Sequence, residues 1–156
     1  MLFLLISLLS FTQIYSPSAN PDELLSFWME AERQVKEGDY AAYAASFHSE
    51  AILVNGINGT TIPIQVALDG WKKGFDNTKA GIMSASVEFR FLASFIGEST
   101  AHQTGIFLYK WHNEGETPQE VYIHLEVLFT KSSGEWKLLM EYQKAIATKE
   151  EWDLLS

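Results

Sequence analysis

Cysteine is absent from the chain, which removes disulfides, thiolate metal sites and cysteine nucleophiles from consideration. Basic residues are scarce: 11 Lys and Arg stand against 20 Asp and Glu, for a formal charge of −9. Phosphate-backbone binding draws its affinity from Lys and Arg displacing counterions. No stretch of this chain clusters them, so nucleic acid is not expected as a partner. The four histidines are scattered without metal-ligand spacing, and no metal is predicted. No motif calls for a cofactor. Internal repeats, low-complexity tracts and a second linker are also lacking, which leaves one domain in 156 residues.

The apolar run MLFLLISLLSF, Met1 to Phe11, falls short of the ~20 residues of a bilayer span. A small, polar stretch follows, Ser16-Pro17-Ser18-Ala19, and charge begins at Asp22. This pattern predicts a signal peptide over residues 1–19, cleaved near Ser18 or Ala19, and hence a secreted or periplasmic protein with no membrane attachment after cleavage. No Lys or Arg precedes the run, and the alternative is a buried N-terminal helix.

What the chain has in plenty is aromatic rings: five Trp, six Tyr and ten Phe, within a hydrophobic fraction of 47%. Asn20-Pro21-Asp22-Glu23 is a helix start, with Asn20 as cap and Glu23 placed to reach back to it. Leu24, Trp28, Ala31 and Val35 repeat at helical spacing up to Gly38. Asp39 caps a second, short helix with the stripe Tyr40, Tyr43, Ala44 and Phe47. Ala51–Val54 reads as a short strand closed by Asn55-Gly56, with a further turn at Asn58-Gly59. Ile64, Leu68, Trp71 and Phe75 mark a third helix with Asp69, Lys72, Lys73 and Asp76 facing water.

From Ile82 the texture is β. Strands are predicted over 82–96, 99–112, 119–131 and 135–147, far longer than the usual ~5–6 residues. Twist accumulates along such strands, so a four-stranded meander must curl around the helices to bury its apolar face. The last hairpin reads as a three-residue loop, Ser132-Ser133-Gly134, pairing Lys131 with Glu135. Thr148-Lys149-Glu150-Glu151 offers a capping box for a final turn carrying Trp152.

The order helix–helix–strand–helix–meander resembles the nuclear transport factor 2-like superfamily, in texture its SnoaL-like branch. The residues that carry the likeness are Glu37-Gly38-Asp39-Tyr40, Phe47-His48-Ser49-Glu50-Ala51, Gly97-Glu98-Ser99-Thr100-Ala101 and Gly134-Glu135-Trp136-Lys137, over roughly residues 20–147. The resemblance implies an α+β fold over residues 20–156, a cone-shaped curved antiparallel sheet with three N-terminal helices on its concave face. It also implies a cavity between them and often a homodimer. In this family the tryptophan matching Trp136 packs inward.

With Trp136 inward and the register above, alternation places Tyr122, His124, Glu126, Leu128, Leu138, Met140 and Tyr142 on the concave face. Ile123, Leu125, Val127, Phe129, Leu139, Glu141 and Gln143 then face outward, where they would need a partner subunit to cover them. On this reading Glu126, with its pKa raised by apolar surroundings, is the candidate acid–base group, and His124 and Tyr142 are the candidate hydrogen-bond donors. His124 and Glu126 would stand roughly 6.6 Å apart along one strand. Trp28, Tyr43, Phe47, Trp71, Tyr122, Trp136 and Met140 are the candidate ligand contacts. The plainer alternative makes His124 and Glu126 satisfied sheet polar groups and the helix aromatics core. Glu88 and Arg90 are expected to form an ordinary ion pair. The aspartate that ketosteroid isomerases of this superfamily carry after the second helix has no match in Phe47-His48-Ser49-Glu50.

The expected function is that of an exported domain binding a small apolar molecule in an aromatic-lined pocket and dimerising through its outer sheet face. The alternatives are a cofactor-free acid–base enzyme acting on an apolar cyclic substrate and a non-catalytic dimeric scaffold.

Overall fold

The computed structural model describes residues 21–155; the expected signal peptide and the Asn20 cap lie outside the described residues. Three helices come first in the chain, α1 (Pro21–Glu37), α2 (Tyr40–Ala45) and α3 (Ile64–Lys79), with strands β1 (Phe47–Asn55) and β2 (Thr60–Pro63) between α2 and α3. A meander follows, β3 (Met83–Ile96), β4 (Thr100–Asn113), β5 (Gln119–Ser132) and β6 (Glu135–Ala147), and a terminal turn α4 (Lys149–Asp153). One curved, open sheet has the order β2-β1-β6-β5-β4-β3, antiparallel except where β1 runs parallel to β6. The α+β class and the long meander are as the sequence predicts.

Helix α1 buries its expected stripe, Leu24, Trp28, Ala31 and Val35, and Gln34 with it. Its N-terminal Glu23 is tied to the far end of the sheet. Lys131 Nζ and Trp136 Nε1 donate to its carboxylate at 2.6 and 2.8 Å. Gly38 ends α1 at φ +69°, the left-handed conformation that glycine adopts without a side-chain penalty. Asp39 then caps α2, accepting from Ala42 N at 3.2 Å.

Two differences from the expected element order trace to pairing that local sequence does not announce. Phe47 does not extend the α2 stripe; it opens β1 and pairs with Leu138 of β6. The polar run His48-Ser49-Glu50 is extended but bulges away from β6, whose pairing with β1 passes from Phe47↔Leu138 directly to Ile52↔Met140. Edge strand β2, read as part of a turn region, pairs with β1 from Ile52↔Pro63 to Asn55↔Thr60. Its proline sits at the sheet margin, where a missing N–H costs no ladder bond.

The β5–β6 hairpin is tighter than expected. Ser132 pairs with Glu135, and the two turn residues, Ser133 and Gly134, have φ of 54° and 84°. Both are positive, as a type I′ turn requires. A bulge then intervenes: Phe129 faces Leu138 but Leu128 faces Met140, so Leu139 is the extra residue and the alternation of β6 inverts beyond it. A second bulge at Leu92 bends β3. Gly105 sits opposite, where an added Cβ would lie 2.0 Å from the Arg90 carbonyl oxygen.

The main core lies between α1, α3 and the concave sheet face, built from Leu24, Trp28, Phe47, Leu53, Leu68, Leu125, Val127, Phe129, Trp136 and Leu138. Trp136 thus packs inward, its ring edge-on to Phe129 at 6.3 Å. The convex side has a smaller cluster, Ile106, Leu108, Ala147 and Trp152, closed by α4. The Thr148–Glu151 capping box is formed, and Arg90 lies over the Trp152 ring at 4.1 Å. Of the cross-strand or i,i+2 ion pair expected on this face, the cross-strand form is present, Glu88 meeting Lys110 at 3.4 Å, while Arg90 donates to the Trp152 carbonyl oxygen at 3.0 Å.

Candidate functional site

Between the helices and the concave face a cavity of about 450 Å³ stays open, within the ~300–1,000 Å³ usual for small-molecule sites. Trp28, Ala31 and Val35 of α1, Tyr43 of α2 and Trp71, Phe75 and Thr78 of α3 roof it. The sheet supplies Val87 and Phe89, then Phe107, Tyr109 and Trp111, then Val121, Ile123, Leu125 and Val127, and finally Leu138, Glu141 and Gln143. Gly70 and Gly74, one turn apart on α3, also line it. A Cβ on Gly70 would meet nothing within 4 Å, and one on Gly74 only the Met83 methyl at 3.6 Å. Interior helix glycines cost about 1 kcal/mol each against alanine, and these two leave space where side chains would stand.

The polar element is on β6. Glu141 is 9% exposed and accepts from Gln143 Nε2 at 2.8 Å. Burial pushes its carboxyl pKa up, and the hydrogen bond from Gln143 offsets part of that rise. Burial also raises the phenol pKa of Tyr43, with the nearby charges of Glu141 and Tyr109 acting in the same direction. Tyr109 is raised by burial alone. At neutral pH both tyrosines are therefore hydroxyl donors. Tyr43, Trp71, Tyr109 and Trp111 are half-buried, and the last two stack at 5.3 Å and 22°. A carboxyl with an elevated pKa can act as acid or base near neutrality, and the phenols can donate to an oxygen on a bound molecule.

The candidate catalytic residues of the sequence reading lie on the other side of the sheet. Tyr122, His124, Glu126 and Leu128 alternate with the cavity-lining Val121, Ile123, Leu125 and Val127, so they face outward. Glu126 is bonded to His102 Nε2 at 2.9 Å and to Lys144 Nζ at 3.2 Å. Desolvation raises its pKa, but the bonds from His102 and Lys144 outweigh it and hold the carboxyl below its usual range, the reverse of the expectation. His124 pairs with Glu151 of α4 at 3.3 Å, and Tyr142 carries the Lys144 ammonium 5.9 Å above its ring. The structure therefore does not bring Glu126, His124 and Tyr142 into the cavity.

The candidate ligand contacts divide. Trp28, Tyr43 and Trp71 line the cavity. Phe47 and Trp136 are inward but belong to the packed core. Tyr122 lies outside against Trp152 at 5.9 Å, and Met140 sits outside opposite Leu128.

Glu141, Gln143, Tyr109 and Trp111 were missed as site residues. For β6 the physical reason is the Leu139 bulge, which exchanges the faces of Met140 to Gln143, while the one-residue shorter turn is what exchanges the faces of β5 and of the β4 residues paired with it. A signal for the correct face is present within β5 itself. Val121, Ile123, Leu125, Val127 and Phe129 form an unbroken apolar series, alternating with Tyr122, His124, Glu126, Leu128 and Thr130. Each large apolar side chain gains ~1.5–3 kcal/mol on burial, whereas the opposite choice would bury a histidine and a carboxylate.

No family model matches the sequence, and no curated protein matches it. Solved structures do match in shape. An NTF-2 like protein from Shewanella oneidensis shares 15% identity at a TM-score of 0.60, over 78% of this chain and 95% of that one. ActVI-ORFA from Streptomyces coelicolor shares 15% at 0.63, over 83% and 96%. The beta subunit of the benzoate 1,2-dioxygenase from Burkholderia mallei shares 9% at 0.67, over 87% and 95%. Likeness at such low identity speaks to the fold alone, and the curved open sheet wrapped on N-terminal helices agrees with it: the chain has the nuclear transport factor 2-like fold.

Proposed function

We propose that this protein is an exported small-molecule-binding domain that holds an apolar, ring-bearing molecule in the cavity between α1, α3 and the sheet. The observation that carries the reading is the open, aromatic-walled cavity itself, kept free by Gly70 and Gly74 and supplied with a hydrogen-bonded polar pair, the buried Glu141 and the half-buried Gln143. The test is Gly74→Phe, which would place a ring in the cavity while improving helix propensity. Wild-type protein is expected to give a saturable rise in Nile red fluorescence, and the variant, at equal helix content by circular dichroism, to lose it. Equal dye binding by both proteins would sink the reading. Export rests on the pattern of residues 1–19 and is tested by sequencing the N-terminus of the secreted protein, which should begin close to Ser18 or Ala19.

A second reading, a cofactor-free acid–base enzyme, is favoured by Glu141 alone. Its carboxyl stands among rings and two phenols, where it could move a proton on a cyclic substrate while Tyr43 or Tyr109 donates to the developing oxyanion. Turnover of a cyclic-ketone panel that is equal in wild type and Glu141→Gln removes this role.

Dimerisation through the outer sheet face keeps support, though from other residues than expected. One row across the sheet, Phe95–His102–Leu128–Met140–Ile52, is mostly apolar, with Phe95 66% and Leu128 39% exposed. Sedimentation of the purified domain should show a dimer that Leu128→Lys dissociates; a monomer at high concentration refutes it.

A further inference from the structure

The cavity is one-sided in charge. Glu141 is the carboxyl among its described lining residues, and none of them is a lysine, arginine or histidine. Lys144, adjacent in sequence to Gln143, is engaged with Glu126 on the opposite face of the sheet. A carboxyl away from water is stabilised by a positive partner or stays neutral, and no described residue lining this cavity is such a partner. Gln143 donates one N–H to Oε1, which leaves the carboxyl further acceptor capacity and the Gln143 carbonyl free to accept beside it. Around this acceptor pair stand the half-buried rings of Tyr43, Trp71, Tyr109 and Trp111. Aromatic faces carry negative electrostatic potential and attract ammonium groups, tryptophan most strongly. The formal charge of −9 adds a long-range field of the same preference. An anionic ligand would meet Glu141 and the ring faces with nothing to compensate.

We propose that the ligand is an organic cation, a ring-bearing amine whose ammonium meets the Glu141 carboxylate and whose apolar body lies among the Trp71, Tyr109 and Trp111 rings. The inference rests on the binding-domain reading and adds the sign of the ligand's charge. It involves no covalent step; the ammonium arrives protonated, the proton that Glu141 carries before binding passes to solvent, and the resulting carboxylate accepts the ammonium's hydrogen bonds.

Three ligands sharing one ring system separate the possibilities: 2-naphthylmethylammonium, 2-naphthylmethanol and 2-naphthoate, titrated by calorimetry near neutral pH into the wild-type domain and Glu141→Gln. The ammonium compound should bind at least about tenfold more tightly than the alcohol, the size of one charge-assisted hydrogen bond, and the carboxylate should not bind. Glu141→Gln should reduce that preference to about threefold or less. An alcohol that binds as tightly as the ammonium, or a preference that survives in Glu141→Gln, overturns the cationic assignment and leaves the binding domain standing. Failure of all three compounds to bind, with both proteins folded by circular dichroism, overturns the pocket and the charge assignment together.

Discussion

Replacing Gly38 by alanine probes the junction on which the cavity roof depends. A Cβ at Gly38 would lie 2.4 Å from Lys79 N, 2.5 Å from the Phe75 carbonyl oxygen and 2.9 Å from Lys79 Cα. All three are backbone atoms, so no flexible side chain can swing aside. Two costs combine: a left-handed φ of +69°, about 1–2 kcal/mol for a residue with a Cβ, and a displacement of the α3 C-terminus of about 1 Å, in the range of overpacking at ~1–3 kcal/mol. Gly59 separates them, because it has φ +67° with nothing within 4 Å of its Cβ position. Gly59→Ala should therefore lose about 1–2 kcal/mol and Gly38→Ala about 2–5 kcal/mol, read from urea unfolding followed by tryptophan fluorescence. Phe75 and Thr78, which line the cavity, ride on the segment that must move, so Nile red binding should also weaken in Gly38→Ala and not in Gly59→Ala. Equal loss of stability in the two variants would refute the claim that α1 and α3 are in obligatory backbone contact.

Glu141→Gln should show a pH signature. The folded carboxyl pKa is raised by burial, so the wild type has its full relative stability below the ordinary carboxylate range and loses it as pH rises through the folded pKa. The variant should gain on wild type across that window by no more than about 1.4 kcal/mol per pH unit; a pH-independent difference in unfolding free energy refutes it. Glu126→Gln acts in the opposite direction, because the folded pKa is lowered by His102 and Lys144: its contribution is present above the unfolded pKa and lost as pH falls through the folded one. For so accessible a pair the loss should be ~0–1 kcal/mol, with ligand binding within about twofold of wild type, and a larger binding defect would put Glu126 back in the cavity. Trp28→Phe removes the 2.8 Å bond from Nε1 to the buried Gln103 Oε1 and leaves a void beside Phe89 and Phe91. Denaturation should register a loss of about 2–4 kcal/mol, and a loss under 1 kcal/mol would show the bond to be idle.

Local chemistry made much of the architecture legible. The α1 stripe, the Asp39 cap, the meander strands and the Thr148–Glu151 box are each encoded by neighbours within a few residues, and all are present. What escaped was set by contacts distant in sequence. Strand β1 begins at Phe47 because β6 waits there, and the Glu23 carboxylate accepts from Lys131 and Trp136 across the molecule. Gly70 and Gly74 carry no signal of their own within α3, and their meaning is visible only once the cavity they open is known.

The inward packing of Trp136 was inferred correctly, and that success produced the misplacement of the site. Carrying strict alternation from Trp136 along β6 assumes that every residue has one partner, and Leu139 has none. Up to Leu138 the chain follows the extrapolation; beyond it Met140 and Tyr142 are outside and Glu141 and Gln143 inside, until a second bulge at Lys144 restores the register for Ala145 to Ala147. β5 needed no anchor, because burying its five apolar residues outweighs any arrangement that encloses His124 and Glu126. When an extrapolated register and the amphipathicity of the neighbouring strand disagree, the turn joining them is misread; here the tighter turn sets the faces of β5, and the Leu139 bulge those of β6 from Met140 to Gln143. Here that bulge delivers a single carboxyl into a cavity otherwise walled by rings, which is what gives the cavity a chemical direction.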